Sequence, residues 1–552
     1  MADFTEAEKE DDAEIQENPI SQLPNNHLHH ENEDDMFEKI KENPNSQPPN
    51  NHLHHENEDD MFKKLKDEHS LNLIQNPAPH TNSNLHTKSK KSSNYDQFKA
   101  SIKDLISKNP KEPELKKPFI NVLIFGMTFF FLRSTFLTPS NMTPQIYDLM
   151  GYTYLGEIEI MMIYGFYGIS SLFHTTILQR VPLKICLMIG GFTFPVFNIG
   201  GYYAMMCVND DRTVCNIYLV YTINIVCAIV CGSLMGLLWT VQSEYVSTTA
   251  PPGKIGMFMG VFYAFAQAAQ ALSTILSLVL LLYCTKDRYY LYLFVIGIFF
   301  AGGLNLVPAK KQENKGHSSM NSHLIDKDIS IKAKPSLWFN IKAIFLLLKR
   351  PRVRVVSVFW MSTGLCVAFY SSFLYKIINI SVAEEGATDE EKNQNLEKKA
   401  AYVFILLGVS EFIGGFSVSY FADKVPVYLC ALLGQLLIEV SLICTMLAYN
   451  EKNYSWTFIA AFFWGIDDCF IRSLSNVLCK NECKKEDGLA GFSLYRFFFG
   501  MGSIVIVVLS LLLNDYKNIF MLIVFVLQII GVMSVGYLLW DEKKAVSLPP
   551  KL

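Results

Sequence analysis

A chain of 552 residues has room for several domains, yet only 18% of these residues are charged while 50% are hydrophobic and 13% aromatic. Soluble domains carry roughly a quarter charged residues, so this balance excludes an ordinary soluble protein. The formal net charge of −4 excludes the basic footprint of a nucleic-acid binder. The lipid bilayer, rather than nucleic acid, is the expected partner.

Residues 1–110 read as a polar tail. Glu17–Lys41 recurs as Glu42–Lys66 with four changes in 25 positions, and this unit lacks the apolar content to bury a core. Its histidines, His27, His29 and His30 and then His52, His54 and His55, stand beside acidic residues. Nothing fixes their geometry, so no metal is expected there. No apolar h-region opens the chain, so no cleavable signal peptide is expected and the first apolar run acts as its own insertion signal. Phe98, Ile102, Leu105 and Ile106 then fall at helical spacing among Lys and Asp, the pattern of an amphipathic juxtamembrane helix.

Twelve segments of bilayer-spanning length follow, at about 119–138, 153–175, 183–206, 216–243, 254–283, 288–307, 353–376, 399–421, 426–448, 455–478, 489–513 and 517–540. A lone span in lipid must satisfy its own backbone, which dictates helix. The expected fold class is an all-α membrane protein with twelve transmembrane helices in two six-helix bundles. The first bundle occupies 111–308. A cytosolic central loop with an interfacial helix occupies 309–352, the second bundle 353–541, and a short cytosolic tail 542–552.

Lys116, Lys117, Arg180, Lys254, Arg350 and Lys424 fall on one side of this arrangement, which the positive-inside rule makes cytosolic. Both termini are then cytosolic. The sequons at Asn141, Asn379 and Asn453 fall in loops assigned to the opposite side and are expected to carry glycans. Cys207 and Cys215 bracket an outside loop, where oxidation is permitted and a disulfide is expected.

The stretch Cys231–Ser247 begins as apolar, glycine-punctuated helix and turns polar at Gln242 and Glu244. An ionisable residue at membrane depth marks a functional site by default. Other such residues are Arg133, Glu157, Glu159, Glu411, Glu439, Asp467, Asp468, Arg472 and Arg496, with Gln267, Gln270 and Gln435. Asp468 and Arg472 are four apart on one helix face and can pair. Gln267 and Gln270 suit either hydrogen bonding between helices or contact with a solute. Gln242, Glu244, Gln267, Asp468, Arg472 and Arg496 are thus the candidates for a central cavity or for ion coupling. With no nucleotide loop, HExxH or catalytic triad in the sequence, neither an enzyme nor a cofactor is expected.

Two six-helix halves with cytosolic termini and a long central loop look like the major facilitator superfamily. Ser419-Tyr-Phe-Ala-Asp423-Lys424 resembles its loop signature, which makes Asp423 and Lys424 a candidate gating loop. Within that superfamily, residues 118–540 are most similar to the uncoordinated-93-like family. The resemblance rests on Gly236-x-x-Trp239-Thr-x-Gln242-x-x-Tyr245, Trp464-Gly465-x-x-Asp468 and Gly491-Phe492-x-x-Tyr495-Arg496, with Gly151-Tyr152-x-x-Leu155-Gly156 and Leu348-Lys-Arg-Pro351-Arg352. The chain departs from the pattern at Ser243 and Asp467, where Gly is usual, and at Cys366, where Glu is common. The resemblance implies a role that is not simply transport, since members include a potassium-channel subunit and an escort of receptors to endolysosomes. A regulator or escort of an ion channel or receptor, in the plasma or endolysosomal membrane, is therefore the leading expectation. The alternative is a proton- or ion-coupled transporter of a small organic solute.

Overall fold

The computed structural model describes residues 112–208, 213–284, 288–308, 336–382, 389–483, 487–514 and 516–547. The duplicated tail, the amphipathic segment at 98–106 and most of the central loop lie outside the described residues. The side carrying the connections at 181–182, 250–254 and 422–426 is called inner below, following the charge reading.

The first half opens with α1 (Glu112–Arg133) and α2 (Leu137–Leu149), two pieces of one span. It continues with α3 (Leu155–Arg180), the pair α4 (Leu183–Gly191) and α5 (Thr193–Met206), α6 (Ile217–Thr249), α7 (Ile255–Tyr283) and α8 (Tyr289–Gly303). A short helix, α9 (Leu337–Leu346), precedes the second half. That half consists of α10 (Pro351–Val382), α11 (Asp389–Phe421), α12 (Val427–Glu451), α13 (Tyr454–Glu482), α14 (Gly488–Leu512) and α15 (Lys517–Ser547). The fold is therefore all-α, with six spans on either side of the central connection.

Eleven of these spans are long and apolar enough to cross a membrane by themselves. The twelfth, α13, has 29 residues but carries Asp467, Asp468 and Arg472 near its middle, all buried. Its polar residues are tolerated because protein rather than lipid surrounds them. By contrast Phe299 on α8 and Leu522 and Met533 on α15 are widely exposed, as a hydrocarbon-facing surface requires.

Prolines and polar caps punctuate the helices where the chain turns. Pro182 and Pro426 precede α4 and α12, and Pro251-Pro252-Gly253 separates α6 from α7, with Gly253 at φ +75°. Asn216 and Asn453 cap α6 and α13 by accepting from the amides of Tyr218 and Ser455, each at 2.9 Å. Cys207 and Cys215 are joined by a disulfide, with Cα atoms 5.0 Å apart. On α9, the buried Asn340 donates to Thr176 at 2.8 Å and to Gln179 at 3.0 Å, tying this helix to α3.

The two halves meet along two seams of small residues. At the first, α3 crosses α14 where Gly168 faces Gly500, and Thr175 and Ser493 hydroxyls bond at 3.0 Å. At the second, Gly260 and Ala264 on α7 face Gly415 and Ser419 on α11. A Cβ on Gly500 would lie 2.7 Å from the Tyr164 carbonyl oxygen, so only glycine permits this approach. Small residues let helix backbones come close where lipid supplies no hydrophobic drive to pack them.

One expectation fails at the first span. The apolar run ends near 138, but the helix continues through α2 with Pro144 inside it, its Thr138 amide donating to Ser273 Oγ and its Pro139 carbonyl accepting from Thr143 Oγ1. Asn141, assigned to an outside loop as a glycan acceptor, is instead inside the bundle and 7% exposed. Its carboxamide donates to Gln270 at 3.1 Å. A buried, hydrogen-bonded carboxamide in a helix cannot take a glycan.

Candidate functional site

Between the halves lies a small cavity of about 40 Å³. Its wall draws on α1, α2, α3, α5, α6 and α7 from the first half and on α10, α13 and α14 from the second. The break between α1 and α2 brings Phe136, Leu137, Ser140 and Asn141 to this wall, below which Arg133 projects from the end of α1. Tyr164, Tyr167, Trp239, Tyr370 and Phe499 give it flat aromatic surfaces, and Gln270 and Ser371 add polar groups.

Two guanidinium groups face this space. Arg133 donates through Nη1 to the Ala266 carbonyl at 2.7 Å and lies 5.1 Å from the Trp239 ring centroid. Arg472 donates through Nε to Asp468 Oδ1 at 2.6 Å and lies 5.5 Å from the Phe499 ring centroid. The second oxygen of Asp468 accepts from the Gln267 amide, so this hydrogen bond joins α7 to α13 across the halves. Glu411 on α11 is buried and close enough to interact with Arg133, Arg472 and Asp468. Among the described residues its Oε2 has no hydrogen-bond partner. A charge is costly at this depth unless paired, and Asp468 and Arg472 meet that condition as an ion pair.

Beneath the cavity, one polar layer closes the inner side. Arg496 is fully buried on α14 and donates through Nη2 to Ser243 Oγ at 2.8 Å. Ser243 donates in turn to Asn476 Oδ1 at 2.6 Å, and Asn476 donates through Nδ2 to the Tyr263 hydroxyl at 2.9 Å. The Arg496 guanidinium also lies 4.3 Å from the Tyr495 ring centroid and 5.6 Å from that of Trp239. Gln242 borders this layer, 3.3 Å from Ser243 Oγ and 3.5 Å from the Tyr263 hydroxyl. The layer thus joins α6 and α7 of the first half to α13 and α14 of the second.

A second inner contact lies further out. Asp423 accepts from the amides of Gly256 and Met257, each at 2.8 Å, at the first turn of α7. A carboxylate there satisfies orphan donors and meets the positive end of the helix dipole. Burial holds the Asp423 carboxyl above its ordinary value, opposed by the two amide donors and by Lys254. Lys424 turns away, its ammonium 3.4 Å from the Tyr420 ring centroid. On the outer side, Lys376 of α10 pairs with Glu157 of α3 at 2.8 Å, so a partly buried ion pair ties the halves there too.

Of the six residues named from sequence for a cavity or coupling role, Arg472 lines the cavity directly. Asp468 and Gln267 stand immediately behind it, Arg496 and Gln242 build the layer beneath, and Glu244 lies partly buried at the inner end of α6, off the cavity wall. Glu157 and Glu159 part company, the first to Lys376 and the second into the interior of the first half, beside Tyr147. Asn379 lies partly buried on α10 and Asn453 is exposed at the start of α13. Sequence reasoning overlooked Lys376, whose signal was a lone cation at the end of an apolar run, and Asn476, which carried no signal.

Six spans on either side of a central polar cavity, closed on both sides by contacts between the halves, define an integral membrane protein of two-bundle architecture. The chain belongs to the Major Facilitator Superfamily, whose family model matches residues 118–479. Among solved structures it is similar to the nucleoside transporter NupG, at 12% identity and a TM-score of 0.51 over 76% of this chain and 99% of that one. It is also similar to the E. coli fucose:proton symporter FucP, at 16% identity and a TM-score of 0.49 over 76% of this chain and 98% of that one. No curated protein matches the sequence.

Proposed function

We propose that this protein is a transporter of a small organic solute, which binds in the central cavity while the halves rock about it, coupled to the movement of a proton or another ion. The observation that carries the reading is the cavity itself: a polar, aromatic-walled space between the halves, with a thin closure on either side. Fixed packing alone does not call for such a space, whereas alternating access does. In this reading Glu411 and Asp468 are the carboxylates that carry coupling, and Asp423 and Lys424 belong to an inner gate. Glu244, off the cavity, has no part in it. Both termini face the cytosol, in the plasma or an endolysosomal membrane.

The regulator reading draws on the resemblance to the uncoordinated-93-like family and has one structural point in its favour. Cys366 and Asp467, two positions of departure from that family's pattern, meet, with the thiol donating to the carboxylate at 3.4 Å. A carboxylate absent from α10 is thus present at the same spot from α13. That preserves a local packing motif without requiring transport.

Liposomes containing the purified full-length chain decide between the readings. Under an imposed pH gradient, labelled nucleosides, hexoses and small carboxylates are offered together, and at least one class should accumulate above protein-free liposomes. Glu411→Gln should then equilibrate the same solute without concentrating it. Uptake of no class, together with a stoichiometric channel or receptor subunit in mild-detergent purifications, would replace this reading with the regulator.

A further inference from the structure

The charge on the cavity wall points to a chemical class of solute. Among the described residues lining it, Arg133 and Arg472 are the charged ones, and both are cations. Asp468, which balances Arg472, is turned away from the space: it is fully buried, one oxygen accepting from Arg472 Nε and the other from Gln267. That leaves the terminal nitrogens of Arg472 with no hydrogen bond among the described residues, although the side chain is anchored from behind. Arg133 is held in the same manner, by Ala266 on one nitrogen and by the Trp239 ring at its face.

A guanidinium presents its donors as a planar fork that fits a carboxylate with two parallel hydrogen bonds. An arginine anchored by one edge and open at the other is preorganised for such a group, because its rotamer entropy is already lost before the solute arrives. Below the cavity, Arg496 adds positive charge without an ion-pair partner among the described residues, its Nε and Nη1 buried and unbonded. The rest of the wall sets aromatic rings beside the neutral polar groups of Ser140, Asn141, Gln270 and Ser371. We infer that the cavity takes a small organic carboxylate with a flat or cyclic apolar body, its carboxylate held by Arg472 and Arg133 and its body against Tyr164, Tyr370 and Phe499. This inference rests on the transporter reading for its biological sense but is tested by binding alone.

The test uses purified full-length protein in mild detergent and matched probe pairs that differ in charge and little in shape: benzoate with benzamide, and phenylacetate with phenylacetamide. At millimolar concentration at least one carboxylate should raise the melting midpoint by several degrees, as mass action requires of a ligand that binds the folded state. Its amide should leave the midpoint in place. Arg133→Gln should abolish the shift, while Arg133→Lys, which keeps the charge, should retain part of it. If the amides stabilise as well as the acids, or no carboxylate moves the wild-type midpoint, the inference is wrong. Uptake of a neutral solute in the liposome assay would then leave transport standing without the anion. Carboxylate binding with no uptake of any class would leave the site standing without transport.

Discussion

At the scale of single residues, the Asp468–Arg472 pair is the most exposed to test. Asp468→Asn keeps the shape but leaves a buried guanidinium uncompensated, which costs about 3–5 kcal/mol. The detergent melting midpoint should fall by several degrees, and exchanging the two residues should recover much of the loss; a swap no better than the single change would show that they do not act as a pair. This pair was legible because a spacing of four on an apolar helix needs no knowledge of other helices. Arg133 was visible as a charge but not as a cavity residue, since its role depends on a helix break that places it against Trp239. Asn141 was misread because hydropathy ends the first span eleven residues before the helix itself ends. Glycosidase treatment should accordingly produce the same mass change in wild type and in Asn141→Gln.

At the scale of elements, the seams between halves carry the prediction. A side chain at Gly500 meets the Tyr164 carbonyl and the Gly168 backbone, neither of which can swing aside. Gly500→Leu should therefore destabilise by about 1–3 kcal/mol or more through overpacking, read as a lower melting midpoint. Gly302→Leu on α8, where a Cβ meets nothing within 4 Å, should leave the midpoint unchanged. Equal losses from both substitutions would refute the seam. All twelve spans were read from apolar length, although α13, with Asp467, Asp468 and Arg472 near its middle, is the one whose composition alone falls short of a membrane crossing. Which helices touch was not legible: apolar faces turned towards lipid and towards protein have the same composition, and the glycines that mark the seams do not name their partners.

At the scale of the whole molecule, both sides of the cavity are closed at once, by the Arg496 layer and the Asp423 contact inside and by Glu157–Lys376 outside. A contact present in one state and absent in another shifts their ratio by its own free energy, so 1–3 kcal/mol changes the ratio roughly 5- to 150-fold. Glu157→Gln combined with Lys376→Met removes the outer ion pair without leaving either charge alone. Spin labels at Tyr154 and Tyr516, both exposed on the outer side, should then gain a longer-distance population. An unchanged distance distribution would mean that the ion pair serves folding rather than access.

The interruption between α1 and α2 has a mechanical consequence. From Ser134 to Phe136 the backbone amides bond to Phe130, Leu132 and Arg133 in an irregular turn, and the Thr138 amide leaves the helix altogether to donate to Ser273 Oγ on α7 at 2.8 Å. The first span is thus two levers joined by a short pliant link at the height of the cavity, and the upper lever is strapped to α7. A displacement of the inner end of α7 need not travel along α1 to reach Ser140 and Asn141, because the strap delivers it directly. Hydrogen–deuterium exchange should reveal the link as a patch of fast-exchanging amides at Ser134–Leu137 between two slow stretches, and Ser273→Ala should extend that patch into α2 while α1 remains protected.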